Sequence, residues 1–136
     1  MDNSLIGNKK DGGSYKVLII DDSLFFIKHL SNILESEGFE IIAIAEDGEK
    51  GVEKYKAFYP NIDFVTLDIK MSNGEGMEAL KEILEFDKNA RVLMISAIGK
   101  ESIIKDALLI GAKDFIMKPI DKDKIIPKIK KLLDKF

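Results

Sequence analysis

The feature that most constrains this chain is the strict alternation of short apolar runs with segments of helical spacing. Lys16-Val17-Leu18-Ile19-Ile20 is a nearly continuous apolar run, the pattern of a strand buried on both faces. Asp22 and Ser23 can cap a helix that carries Phe26, Ile27, Leu30, Ile33 and Leu34 on one face and stops at Gly38. Phe39 to Ala45 reads as a second strand, and Asp47-Gly48 opens a helix that runs to about Phe58, before Pro60. Ile62 to Leu67 is a third strand, and the loop Lys70 to Gly76 leads into a helix through Leu84. Arg91 to Ile95 is the fourth strand, followed by a helix over 100–110 that ends at Gly111. Lys113 to Met117 is the fifth strand. Asp121 or Asp123 caps the last helix, with Pro127 in about its first turn. Five strand–helix pairs in this order predict an α/β fold: a doubly wound, five-stranded parallel sheet with helices on both faces. An α/β barrel needs about 250 residues, and the chain has 136.

Residues 1–14 are polar and glycine-bearing and read as a flexible N-terminal tail, leaving 15–136 as a single domain. Hydrophobic residues make up 46% of the chain and charged residues 33%, which suits a globular fold. No apolar run approaches the roughly 20 residues that cross a bilayer. The N-terminus has no apolar signal core, and there is no cysteine for a disulfide, a thiolate metal site or a nucleophile. A cytoplasmic, non-membrane protein is expected. The net charge of −3, with lysines dispersed along the chain, argues against a nucleic-acid partner. The locally basic stretch from Lys122 to Lys135 alternates with apolar residues and reads as a solvated helix face.

In open α/β sheets, ligands bind outside the carboxyl ends of the strands. Those ends carry Asp21-Asp22, Asp68, Ser96 and Lys118, so three carboxylates, a hydroxyl and an ammonium converge on one rim. Two carboxylates at 4 Å repel by about 4 kcal/mol at an effective dielectric of 20, so the cluster needs cations. Lys118 supplies one positive charge. Hard oxygen ligands point to Mg²⁺ for the rest, with Mn²⁺ as a substitute. Asp68 can then serve as a nucleophile towards phosphorus, with Lys118 spreading the transition-state charge and Ser96 donating to a phosphoryl oxygen.

With these residues in place, the chain resembles the receiver-domain family of response regulators. The matching pieces are Val17 to Ser23, Thr66 to Met71, Ser96-Ala97 and Gly111 to Pro119, in order, over about residues 15–136. The resemblance implies that Asp21, Asp22, Asp68 and the Lys70 carbonyl hold the metal, and that Asp68 is the phosphoacceptor. It implies that Lys118 contacts the phosphoryl group, that Lys118-Pro119 is cis, and that Ser96 and Phe115 form the switch. Ser96-Ala97-Ile98-Gly99 and the Gly111–Pro119 block look most like chemotaxis receivers of the CheY type. Such a protein would receive its phosphoryl group from a CheA-type histidine kinase and act on an output protein such as the flagellar motor switch. A phosphatase would reset it. Single-domain receivers of phosphorelays or sporulation pathways are the alternative. Nothing recognisable precedes residue 15 or follows the last helix, so no DNA-binding or catalytic output domain is expected.

The chain departs from the family pattern in three places. Met71-Ser72 replaces the common Met-Pro, Phe115 replaces a frequent Tyr, and Lys70 and Ile98 stand two residues beyond Asp68 and Ser96. A Mg²⁺-dependent hydrolase of the haloacid-dehalogenase kind would want a second Asp where Lys70 stands, and a flavodoxin-like cofactor binder would want a Ser/Thr/Gly-rich loop where Asp21-Asp22 stand. Both fit less well than a binding module controlled by phosphorylation, without a separate enzymatic substrate. His29 reads as an exposed helix residue. Ile104, Ala107 and Leu108 are expected to face inward, whereas Leu109 and Phe25 fall off their helices' apolar stripes and are the candidate partner contacts.

Overall fold

The computed structural model describes residues 5–69, 76–97 and 100–134. Its strands are β1 (Lys16–Ile20), β2 (Glu40–Ala45), β3 (Phe64–Leu67), β4 (Val92–Ser96) and β5 (Asp114–Met117). Between and after them run α1 (Leu24–Ser36), α2 (Gly48–Phe58), α3 (Gly76–Phe86), α4 (Glu101–Ile110) and α5 (Lys122–Asp134). All pairings are parallel, in the order β2-β1-β3-β4-β5. The expected doubly wound sheet is borne out.

Side chains alternate across the pleat and so feed two cores. Val17, Ile19, Phe64, Leu93, Ile95 and Ile116 pack with α1 and α5. Leu18, Ile20, Val65, Leu67, Val92 and Met94 pack with α2, α3 and α4. β1, β3 and β4 are therefore apolar nearly throughout, because each is covered on both sides. Ser23 caps α1 by accepting from the Phe26 amide, and Asp47 caps α2 through the Lys50 amide. Asp121 caps α5, accepting from the Lys124 amide.

Three sequence expectations need correction. Residues 5–14 are docked rather than loose. Gly7 donates to the Glu37 carbonyl at 2.8 Å, Asn8 bridges Ser14, and Ile6 packs on the α1–α5 core. A side chain at Gly7 would collide with the backbone of Glu37 to Phe39, so the glycine permits the close approach. Pro127 lies in the second turn of α5, inside the helix, where it removes the backbone bond to Asp123. On α4 the inward residues are Ile103, Ala107 and Ile110, and Leu108 is 44% exposed. The helix is turned so that Ile103 and Ile110, rather than Leu108, flank the buried Ala107.

Two substitutions test this packing by urea denaturation. The Thr66 hydroxyl is buried with no hydrogen-bond partner among the described residues. Thr66→Val is expected to stabilise the fold by about 1 kcal/mol, since it removes that unpaired group. A Cβ on Gly51 would come within 2.5 Å of the buried Ile20 side chain. Gly51→Ala is expected to destabilise by about 1–3 kcal/mol through overpacking.

Candidate phosphoryl-acceptor site

The strand order reverses between β1 and β3, where one crossover leads outward to β2 and the next to the other side. Asp21-Asp22 leave β1 and Asp68 leaves β3, so all three carboxylates sit at the crevice this reversal opens. Backbone bonds fix the ends: the Asp21 amide donates to Ala45 and the Asp68 amide to Ile20, each at 3.0 Å. One carboxylate oxygen from each of Asp21, Asp22 and Asp68 lies within 4.8 Å of the others. Asp21 and Asp68 are buried, 2% and 4% exposed, whereas Asp22 faces solvent.

Lys118 follows β5 and reaches into this cluster. Its Nζ lies 2.9 Å from an Asp21 oxygen and 3.5 Å from an Asp68 oxygen. Its amide donates to the Ser96 carbonyl at 2.8 Å, which ties the end of β5 to the end of β4. The Lys118-Pro119 bond is cis, as expected, and Tyr59-Pro60 is a second cis bond that the sequence did not suggest. Ser96 is buried at the end of β4, the strand beside β3. Within 4.8 Å of one another, the Asp21 and Asp68 charges repel by about 3.5 kcal/mol or more for a dielectric near 20. The ammonium offsets part of it, and a net negative charge remains. Three hard oxygen donors facing one another fit a Mg²⁺-class ion. Asp21 also accepts from the Ser23 amide at 2.9 Å, which orients its carboxylate.

The family profile described as the response regulator receiver domain matches residues 17–130. The chain belongs to the response-regulator receiver family. The chemotaxis protein CheY of Treponema pallidum is 52% identical over 93% of this chain and 88% of its own length. CheY of Bacillus subtilis is 45% identical over 89% of this chain and 99% of its own. Among solved structures, a CheX-CheY-BeF3-Mg²⁺ complex of Borrelia burgdorferi aligns at a TM-score of 0.90 and 54% identity, covering 93% and 95% of the two chains. The reading as a receiver of the chemotaxis CheY type is borne out, and the protein is a signalling module.

The receiver residues named from sequence fall as follows. Asp21, Asp22, Asp68 and Lys118 are brought together. Phe115 is half-buried on β5 and packs against the α2–α4 core. Leu109 and Phe25 are 77% and 83% exposed. Lys70, Met71-Ser72 and Ile98-Gly99 lie outside the described residues. The sequence reading missed two contacts, one to Lys118 and one to the segment that follows it. The Phe26 ring centroid is 4.1 Å from the Lys118 Nζ, and His29, exposed as expected, donates from Nε2 to the Ile120 carbonyl at 3.1 Å. Helical periodicity sees Phe26 only as a core residue, because its partner is remote in the chain.

The balance of charge predicts opposite effects of two substitutions on thermal stability without added metal. Lys118→Met should destabilise by about 3–5 kcal/mol, since it leaves buried carboxylates without their cation. Asp68→Asn should stabilise by about 1–3 kcal/mol, because it removes one repelling, desolvated charge. Melting curves in EDTA decide both, and a lower melting temperature for Asp68→Asn would contradict the net repulsion.

Proposed function

We propose that residues 15–136 act as one receiver unit that takes a phosphoryl group on Asp68 from a CheA-type histidine kinase. The observation that carries this reading is the Lys118 ammonium held between buried Asp21 and Asp68 at the carboxyl ends of β1 and β3. An Asp68 oxygen forms a bond to phosphorus as the phosphorus–nitrogen bond to the donor histidine breaks, and the imidazole leaves with the electron pair. Lys118 meets the negative charge that gathers on the phosphoryl oxygens. Asp21, Asp22, Asp68 and the Lys70 carbonyl would hold Mg²⁺, with Mn²⁺ as a substitute. Bound there, the cation neutralises charge that the single lysine leaves uncompensated. No further substrate is turned over, and catalysis is confined to the domain's own phosphorylation and dephosphorylation.

Once attached, the phosphoryl group would accept a hydrogen bond from Ser96. The resulting shift at the end of β4 lets Phe115 turn inward and reshapes the surface of α4, β5 and α5, where Leu109 is exposed. The output partner is of the flagellar motor-switch kind. Phe25, in the first turn of α1 beside Asp22, would meet a protein working on the phosphorylated rim, a phosphatase or a partner of the CheX kind. A cytoplasmic site of action follows from these partners. Among the described residues no helix is long and apolar enough to cross a membrane.

Acetyl phosphate offers the same reaction without a kinase: acetate leaves as the Asp68–phosphorus bond forms. With Mg²⁺ the wild type should gain about 80 Da of acid-labile mass, one phosphoryl group. Asp68→Asn should gain none. In the same solutions Asp22→Ala should weaken Mg²⁺ binding more than Ser96→Ala. Persistent stoichiometric labelling of Asp68→Asn would move the acceptor elsewhere.

A further inference from the structure

We infer that Phe26 is a positioning residue for Lys118, holding the ammonium at the phosphoryl site through the face of its ring. Two partners of the Lys118 ammonium are the Asp21 and Asp68 carboxylates, at 2.9 and 3.5 Å, and the third is the Phe26 ring at 4.1 Å. A cation near an aromatic face is attracted by the ring quadrupole, and more strongly where water is excluded. Phe26 is buried, and the Lys118 side chain is mostly so. A long, flexible lysine stem otherwise leaves its charge free to swing towards solvent.

The same helix face holds the chain just beyond Lys118. His29 stands three residues after Phe26, so the two side chains neighbour one another on α1. Its Nε2–H donates to the Ile120 carbonyl. α1 thus grips the segment twice, at the ammonium and at the backbone two residues on, and it begins directly after Asp21-Asp22. The helix that starts at the carboxylates therefore also places the cation opposite them. When a divalent cation competes for Asp21, the ring is the partner of Lys118 that no metal can claim.

This inference rests on Asp68 being the phosphoacceptor, and the test separates the two. Phe26 is replaced by phenylalanines carrying one, two and three ring fluorines, which weaken the quadrupole with little change of shape, and by leucine. The initial rate of phosphoryl uptake from acetyl phosphate with Mg²⁺ should fall stepwise along the fluorine series. It should be about three- to thirtyfold slower in Phe26→Leu, the span from an exposed to a desolvated cation–π contact. In unphosphorylated protein, the Lys118 side-chain proton resonances should be shifted upfield by the ring and return to ordinary positions in Phe26→Leu. Equal uptake rates across the fluorine series, in variants that melt as wild type does, would overturn the inference. If the wild type takes up no phosphate, the acceptor reading fails instead, and the Lys118 resonances alone decide whether the ring holds the ammonium.

Discussion

The structure turns on one ammonium held among carboxylates. Asp21 and Asp68 are buried where their charges repel, and Lys118 stands within hydrogen-bonding range of both. Such a cluster contributes little to folding, since burying charge costs more than a well-packed apolar group would. In the proposed reading its persistence has a chemical reason: an acceptor carboxylate and a cation for the incoming phosphoryl oxygens must coexist before the reaction begins. The unbalanced negative charge that remains is what makes the site receptive to a divalent cation.

The fold supplies this arrangement without strain at the acids themselves. Parallel strands end on one rim, and the reversal of strand order parts the loops after β1 and β3, so their first residues face one crevice. Backbone bonds from Asp21 to Ala45, from Asp68 to Ile20 and from Lys118 to Ser96 tie the ends of all five strands together, β1 with β2 and β3, and β4 with β5. α1 then does two jobs. Phe26, Ile27, Leu30 and Leu34 bury one side of the sheet, while Phe26 and His29 bear on Lys118 and the segment that follows it.

Much of this could be read from the chain itself. Continuous apolar runs with alternating helical segments determine a parallel sheet, and the residue after each run is by geometry a rim residue. Asp21, Asp22, Asp68, Ser96 and Lys118 were therefore legible as a set. What escaped depended on contacts between distant segments. Gly7 looks like a tail residue until its backbone is seen against Glu37 to Phe39. Leu108 is exposed where an inward residue is expected, and Ile103 and Ile110 join Ala107 on the buried face instead, because periodicity alone leaves the rotation of α4 open. Phe26 satisfies the helical stripe and so conceals its second contact.

In the proposed switch, Ser96 at the end of β4 links the acceptor to Phe115 and Leu109. Moving a two-state balance from 1:99 to 99:1 takes about 5.5 kcal/mol, and one hydrogen bond to a charged group supplies about 1.5–3 kcal/mol. Ser96 must therefore act together with Lys118 and the bound cation. The most direct measurement is the NMR signal of the Phe115 ring and the Leu109 methyls before and after acetyl phosphate with Mg²⁺, in wild type and Ser96→Ala. Both proteins should take up phosphate at Asp68, and only the wild type should show large shifts at Phe115 and Leu109. Shifts as large in Ser96→Ala would contradict the account, because the signal would then reach α4 and β5 by another route.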